Sequence, residues 1–221
     1  MLELDSLRFS EIIASGDERI SYLQGQLTQD LSAAATSRSL LLAPSGEVLT
    51  DISLSIKPDY VRLVVPTELV DVALVRLRRF VLRSKVAFEL RGDAAPPMAI
   101  DQLISTPWPS SAEWALALPP HSFGRTVVDS TISFTKGCFT GQELVGRADA
   151  RGATMPWRFV AGHGGQVDAV HEWLCSYGPE GPKGVTSGVV VADDLSWRGI
   201  AHRTLEVEMA KSIGADLVYM A

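Results

Sequence analysis

Cys138 offers more chemistry than any other side chain in this sequence, because of its neighbours in Thr135-Lys136-Gly137-Cys138-Phe139-Thr140-Gly141-Gln142-Glu143. The thiolate is the nucleophilic and metal-binding form of cysteine, and a nearby cation or helix N-terminus favours it. Lys136 brings a cation two residues away, and Thr140 with Glu143 has the T-x-x-E spacing of a capping box, which predicts a helix start just after the cysteine. Gly137 and Gly141 carry no side chain and leave room for a partner backbone or a flat ligand. The competing structural reading is a buried, inert cysteine in a strand-to-helix turn.

Cys138 and Cys175 are the two cysteines of 221 residues and form no C-x-x-C pair. Such usage points away from a disulfide scaffold and from a resident cluster of four thiolates. His121, His163, His171 and His202 lack zinc-type spacing, so no metal site is expected. With a net charge of −6, a nucleic-acid-coating role is not expected, nor is a membrane span in a chain without a long apolar run. Charges at Glu3, Asp5 and Arg8 argue against a signal peptide, and the expectation is a soluble cytoplasmic protein.

The elements that must position Cys138 follow from periodicity. Thr126 to Thr135 is rich in β-branched residues and predicts a strand leading into the cysteine turn. Near the N-terminus a short strand within Met1–Ile13 precedes a helix capped by Ser15 or Asp17, with Glu18 spaced for a box with Ser15. Ile20, Leu23, Leu27 and Leu31 make one apolar stripe, and Gly25 interrupts it, either for close helix packing or for a ligand. Strands are predicted at Ser39–Leu42, Glu47–Ile56, Val61–Val65 and Lys85–Leu90, with a helix from Thr67 to about Arg83. Arg76, Arg78, Arg79, Arg83 and Lys85 make the end of that helix basic, either as a solvated face or as a site for an anionic tail or acidic partner. A short element is expected around Glu113–Leu118. After residue 151, recurrent glycines and β-type runs at Trp157–Ala161, Val185–Ala192 and Thr204–Met209 predict a small antiparallel barrel.

Three segments resemble one known family in the expected order. Lys136-Gly137-Cys138-Phe139-Thr140-Gly141-Gln142-Glu143 is similar to the K-G-C-[YF]-x-G-Q-E signature of the folate-binding YgfZ family, which is related to the glycine cleavage T-protein aminomethyltransferases. Gly16 to Asp30 is similar to that family's G-D-x-R-x-x-[FY]-L-Q-G-Q-x-T-x-D segment, and Leu77 to Val86 to its L-x-[RK]-[YF]-V-x-x-S-K-V segment. The resemblance implies an α+β, multi-domain fold: a folate-binding-type module over residues 1–150 with a ferredoxin-like portion at 47–91, and a C-terminal antiparallel β-barrel over 151–221. It implies tetrahydrofolate or a folate derivative as ligand, iron–sulfur client or assembly proteins as partners, and a role in iron–sulfur cluster assembly or repair. Cys138 and Lys136 would then carry the chemistry, supported by Gly137, Gly141, Gln142, Glu143 and Arg147. Gln24, Gln26, Asp51 and Arg83 would contact folate, although Asp51 reads equally well as an exposed acid on a strand.

Two other functions compete. An aminomethyltransferase needs an asparagine and a positioned acid where this chain has Pro66 and Ala73, and it lacks the K-G-C motif. Catalytic turnover is therefore not the favoured expectation. A folate-free structural adaptor is the other competitor, because Leu118-Pro119-Pro120-His121-Ser122-Phe123-Gly124 contains no glutamate to pair with a pterin edge.

Overall fold

Alternating apolar residues build the first sheet. The structure, a computed structural model, describes residues 8–33, 36–97, 108–152, 154–175 and 196–221. Strands β1 (Phe9–Ser15), β2 (Thr36–Leu42), β3 (Val48–Ile56), β4 (Tyr60–Pro66) and β5 (Ala87–Ala94) pair antiparallel in the order β2-β3-β4-β1-β5. Side chains two apart share a face. Ile12 and Ala14, Ile52 and Leu54, and Leu63 and Val65 therefore meet on one side. Helices α1 (Arg19–Gln26) and α2 (Val70–Arg78) cover that side with Leu23, Ala73 and Leu77, all fully buried.

The other side of the sheet opens a second core. Leu40, Leu42 and Val48 pack with Trp114, Phe123 and Val127, and also with Phe159 and Ile200 of a second sheet. That sheet consists of β6 (Trp157–Gly164) between β7 (Ser196–His202) and β8 (Ala215–Met220), all antiparallel. Between the sheets run α3 (Ser111–Trp114), α4 (Arg125–Thr131) and α5 (Gln142–Ala150), while α6 (Val167–Cys175) and α7 (Glu208–Ser212) join the core of the second sheet through Trp173 and Ala210.

Several expectations are corrected. The β-branched run after Gly124 is helix α4, because Ser130 and Thr131 turn their hydroxyls back to the carbonyls of Thr126 and Val127, both at 2.6 Å. Burial of Val127, Val128 and Thr131 along one stripe then overrides local strand preference. Helix α1 starts at Arg19 without a side-chain cap, and the Glu18 carboxylate accepts the Lys85 N–H at 2.7 Å instead of closing a box with Ser15. It stops at Gln26, so Leu27 and Leu31 are buried beyond its end. Thr67 opens a 3-10 turn (Thr67–Leu69) ahead of α2 and bonds Ser10 through its hydroxyl, and α2 ends at Arg78 with a second 3-10 turn at Val81–Arg83. Residues 204–209 turn into α7, and the predicted strand Val185–Ala192 lies outside the described residues. Among the described residues the C-terminal strands make a three-stranded sheet rather than a closed barrel.

Candidate functional site

The K-G-C segment lies on the end of α1. Lys136 is buried, and its ammonium donates to the carbonyls of Gln24 (2.6 Å), Leu27 (2.6 Å) and Gln29 (3.0 Å). Helix C-termini leave carbonyls without partners, and a three-donor ammonium answers that need. Burial pulls this lysine down to about 8, with Asp30 acting in the opposite direction, so it remains protonated at neutral pH and keeps all three donors. Lys136 therefore holds the backbone at the end of α1 with all three of its donors.

Neighbouring bonds extend the seam. The N–H of Thr140 donates to the Gly25 carbonyl at 3.1 Å, and that of Ser133 to the Thr28 carbonyl at 3.0 Å. Thr28 returns a bond through its hydroxyl to the Thr131 carbonyl at 2.7 Å. Phe139 is buried in the second core, and the Lys136 ammonium stands 5.3 Å from its ring centroid. Between these two anchors Gly137 and Cys138 are exposed. A Cβ built on Gly137 would meet nothing within 4 Å, so the approach beside the thiol is open.

The expected capping box does not form. Gly141, not Thr140, is the N-cap of α5, with φ +83 and no side-chain cap bond, so Cys138 stands outside the first helical turn. The Gln142 side chain accepts the Phe139 N–H at 3.3 Å and closes the loop on itself. Glu143 and Arg147 pair with each other on the exposed face of α5. Gly141 is required where it stands, since a Cβ there would sit 2.8 Å from the Ala43 carbonyl oxygen and 3.1 Å from Gly46 Cα. The loop carrying Gly46 between β2 and β3 thus packs directly on the cysteine loop.

The residues expected to contact folate divide. The Gln24 side chain accepts the Leu31 N–H at 2.9 Å and donates to Asp30 at 3.0 Å, and Gln26 accepts from Arg76 at 2.9 Å. Both glutamines brace the end of α1. Arg83 is exposed in its 3-10 turn and has no hydrogen bond or ion pair among the described residues. Asp51 is buried, which removes the reading of an exposed acid: it pairs with Arg38 at 2.8 Å and accepts the Trp108 indole N–H at 3.1 Å. Arg38 lies 3.9 Å from the Trp108 ring centroid and borders an open hollow of about 300 Å³ together with Ser37, Ser53, Ser55 and Arg62.

One residue of this region was not singled out from sequence. Glu113 in α3 is fully buried; one carboxylate oxygen accepts the N–H (2.8 Å) and hydroxyl (2.5 Å) of Ser110, while Oε1 has no partner. Burial pushes its carboxyl upward, against the Ser110 bonds and the nearby Arg198. Arg198 in turn donates to the Trp108 carbonyl, so the buried Arg198, Trp108 and Asp51 and the half-buried Arg38 form one polar chain, with Glu113 within electrostatic reach of Arg198. The Ser110-x-x-Glu113 capping box was legible in sequence, and it forms. Its meaning for a site was not legible, because the partners come from β2, β3 and β7.

The paired sheets and their helices are similar in fold to an aminomethyltransferase of the glycine cleavage system. The crystal structure of aminomethyltransferase T from Bartonella henselae superposes with a TM-score of 0.56 at 11% identity, covering 88% of this chain and 76% of that one. In sequence the chain is similar to the tRNA-modifying protein YgfZ of Yersinia pseudotuberculosis, 25% identical over 74% of this chain and 72% of that protein. It is 25% identical to YgfZ of an Enterobacter species over 79% and 75%, and 28% identical to an uncharacterized protein of Haemophilus influenzae over 69% and 70%. No family model matches the chain. The resemblance to YgfZ proteins and to T-protein aminomethyltransferases, read from three short motifs, is borne out. No helix among the described residues is long and apolar enough to cross a membrane.

Proposed function

We propose that this protein is a folate-binding accessory factor of the YgfZ type, which presents the Cys138 thiol to iron–sulfur enzymes or their assembly proteins, those that serve tRNA modification among them. The observation that carries this reading is the division of labour in the cysteine loop: Lys136 and Phe139 are buried anchors, and Cys138 is exposed between them. A cysteine kept for packing has no need of such presentation. One thiolate cannot hold a conventional cluster, so its role is transient, as a shared ligand or a partner in thiol exchange.

The folate part rests on this polar chain and Glu113. A pterin offers an amide and amino edge, and Glu113 supplies a carboxylate oxygen that lacks a donor. Glu113 therefore matches such a ring in kind from within the core, and the hollow lined by Arg38 and Arg62, which pair with Asp51 and Glu11, would take the ligand's carboxylates. Glu113 and Asp51 would orient the ring, and the surrounding tryptophans would exclude water. The ferredoxin-like portion, on this reading, begins at β1 rather than at residue 47: β1, α1, β3, β4, α2 and β5 follow the β-α-β-β-α-β order. The aminomethyltransferase reading lacks its acid, because Ala73 is fully buried in the first core and Asp71 is exposed on the outer side of α2.

Calorimetric titration with tetrahydrofolate tests the cofactor. The expected result is saturable binding that weakens by about tenfold or more in Glu113→Gln, which keeps the shape but replaces one carboxyl oxygen with an amide nitrogen. Absence of binding to the parent protein would remove folate from the account and leave the adaptor reading.

A further inference from the structure

The outer side of α2 carries apolar and basic residues that neither core uses. Val72 and Val75 are 42% and 74% exposed, and with Ala43, Pro44 and Leu49 they line an open groove of about 440 Å³. Arg76 and Arg79 line the same groove, with the exposed Asp71 also on its lining. Phe80 lies beside them, its ring centroid 5.5 Å and 5.7 Å from their guanidinium carbons. Arg76 is buried and spends two nitrogens on the Leu42 carbonyl and the Gln26 side chain, yet its Nη2 has no partner. Burial pulls its ionisation down, Tyr22 opposes that, and Arg79 adds to it.

Among the described residues no carboxylate is ion-paired with Arg76, Arg78, Arg79 or Arg83. In a chain of net charge −6, these four arginines along one short stretch run against the overall composition, and two of them, Arg76 and Arg79, line the groove. The apolar residues form a hollow with walls on two sides, α2 and the β2–β3 connection, which suits an inserted side chain better than a flat bilayer. We propose that this groove docks an acidic amphipathic helix of a partner protein, with apolar side chains over Val72, Val75 and Leu49 and carboxylates on the exposed Arg79. The groove begins at Ala43, whose carbonyl packs on Gly141, so the docked partner borders the cysteine loop. This surface does not depend on folate binding.

The test uses the full chain and a fluorescent helical peptide with leucines at i, i+3, i+4 and i+7 and glutamates elsewhere, followed by polarisation. Its control has lysines in place of the glutamates. The glutamate peptide should bind, the lysine peptide should not, and both Arg79→Glu and Val75→Glu should weaken binding about tenfold or more. Both positions are exposed, and melting curves of the variants check that they fold as the parent does. The proposal is overturned by equal binding of the two peptides, by binding of neither, or by variants that bind like the parent. It is also overturned if Val75→Glu dissociates a dimer seen by sedimentation, which would make a second copy the occupant, or if the parent binds phosphatidylserine vesicles instead of the peptide.

Discussion

Lys136 and Cys138 stand two residues apart and do opposite things. The lysine is spent on three carbonyls at the end of α1, and the cysteine faces solvent. Lys136→Met should therefore act first on stability: with one buried and two part-buried carbonyls left without a donor, denaturant unfolding should register a loss of roughly 2–4 kcal/mol. An unchanged midpoint would show that the seam does not depend on the ammonium. The two thiols should also differ. Both thiols are exposed, but at the end of α6 partial desolvation holds that of Cys175 above the ordinary value, whereas the space beside Cys138 is open. Timed alkylation read by mass spectrometry should modify Cys138 first; faster labelling of Cys175 would contradict the presentation argument.

Two glycines of the matched motifs answer differently to a methyl group. Gly141 has φ +83 and a Cβ position 2.8 Å from a carbonyl oxygen, so Gly141→Ala should cost roughly 2–4 kcal/mol and loosen the contact between the cysteine loop and the β2–β3 connection. Gly25 lies in the last turn of α1, where a Cβ meets nothing within 4 Å, so Gly25→Ala should gain roughly 0.5–1 kcal/mol. Thermal melts of the pair check both signs. The sheet was legible because β3 and β4 alternate in sequence as they do in space. Helix α4 was not, since hydroxyl back-bonds and a buried stripe outweigh the β-branched composition of Thr126–Thr131. Nor was the seam: Gln24-Gly25-Gln26 and the K-G-C motif were each recognisable, but only tertiary pairing shows that one carries the carbonyls and the other the donors. The sequence of the basic end of α2 is equally that of a solvated face or an anion site, and the groove that gives it shape comes from Ala43, Pro44 and Leu49 of a distant segment.

Taken whole, the molecule joins two sheets through one core, and two titratable groups in that region contribute to its pH response. Burial lowers His121 from 6.5, partly offset by Asp149, so His121 stays neutral in the fold where the unfolded chain would take up a proton. Its contribution is present above about 6.5 and lost as pH falls below it. Burial raises Glu113 from 4.5, so its contribution is present below that value and lost as pH rises through the raised one. Stability should accordingly fall on the acid side of neutrality less steeply in His121→Gln, and on the upper side of 4.5 less steeply in Glu113→Gln, as read from unfolding midpoints across pH. Both slopes belong to the scaffold, whereas the central claim concerns the thiol it presents. The most direct measurement is the activity of an iron–sulfur-dependent tRNA-modifying enzyme in cells that lack their own YgfZ protein and carry either this chain or its Cys138→Ala variant, with melting temperatures compared in parallel. The parent should restore the activity, and the variant, folded to within about 1 kcal/mol of the parent, should not. Full restoration by a well-folded Cys138→Ala protein would contradict the account.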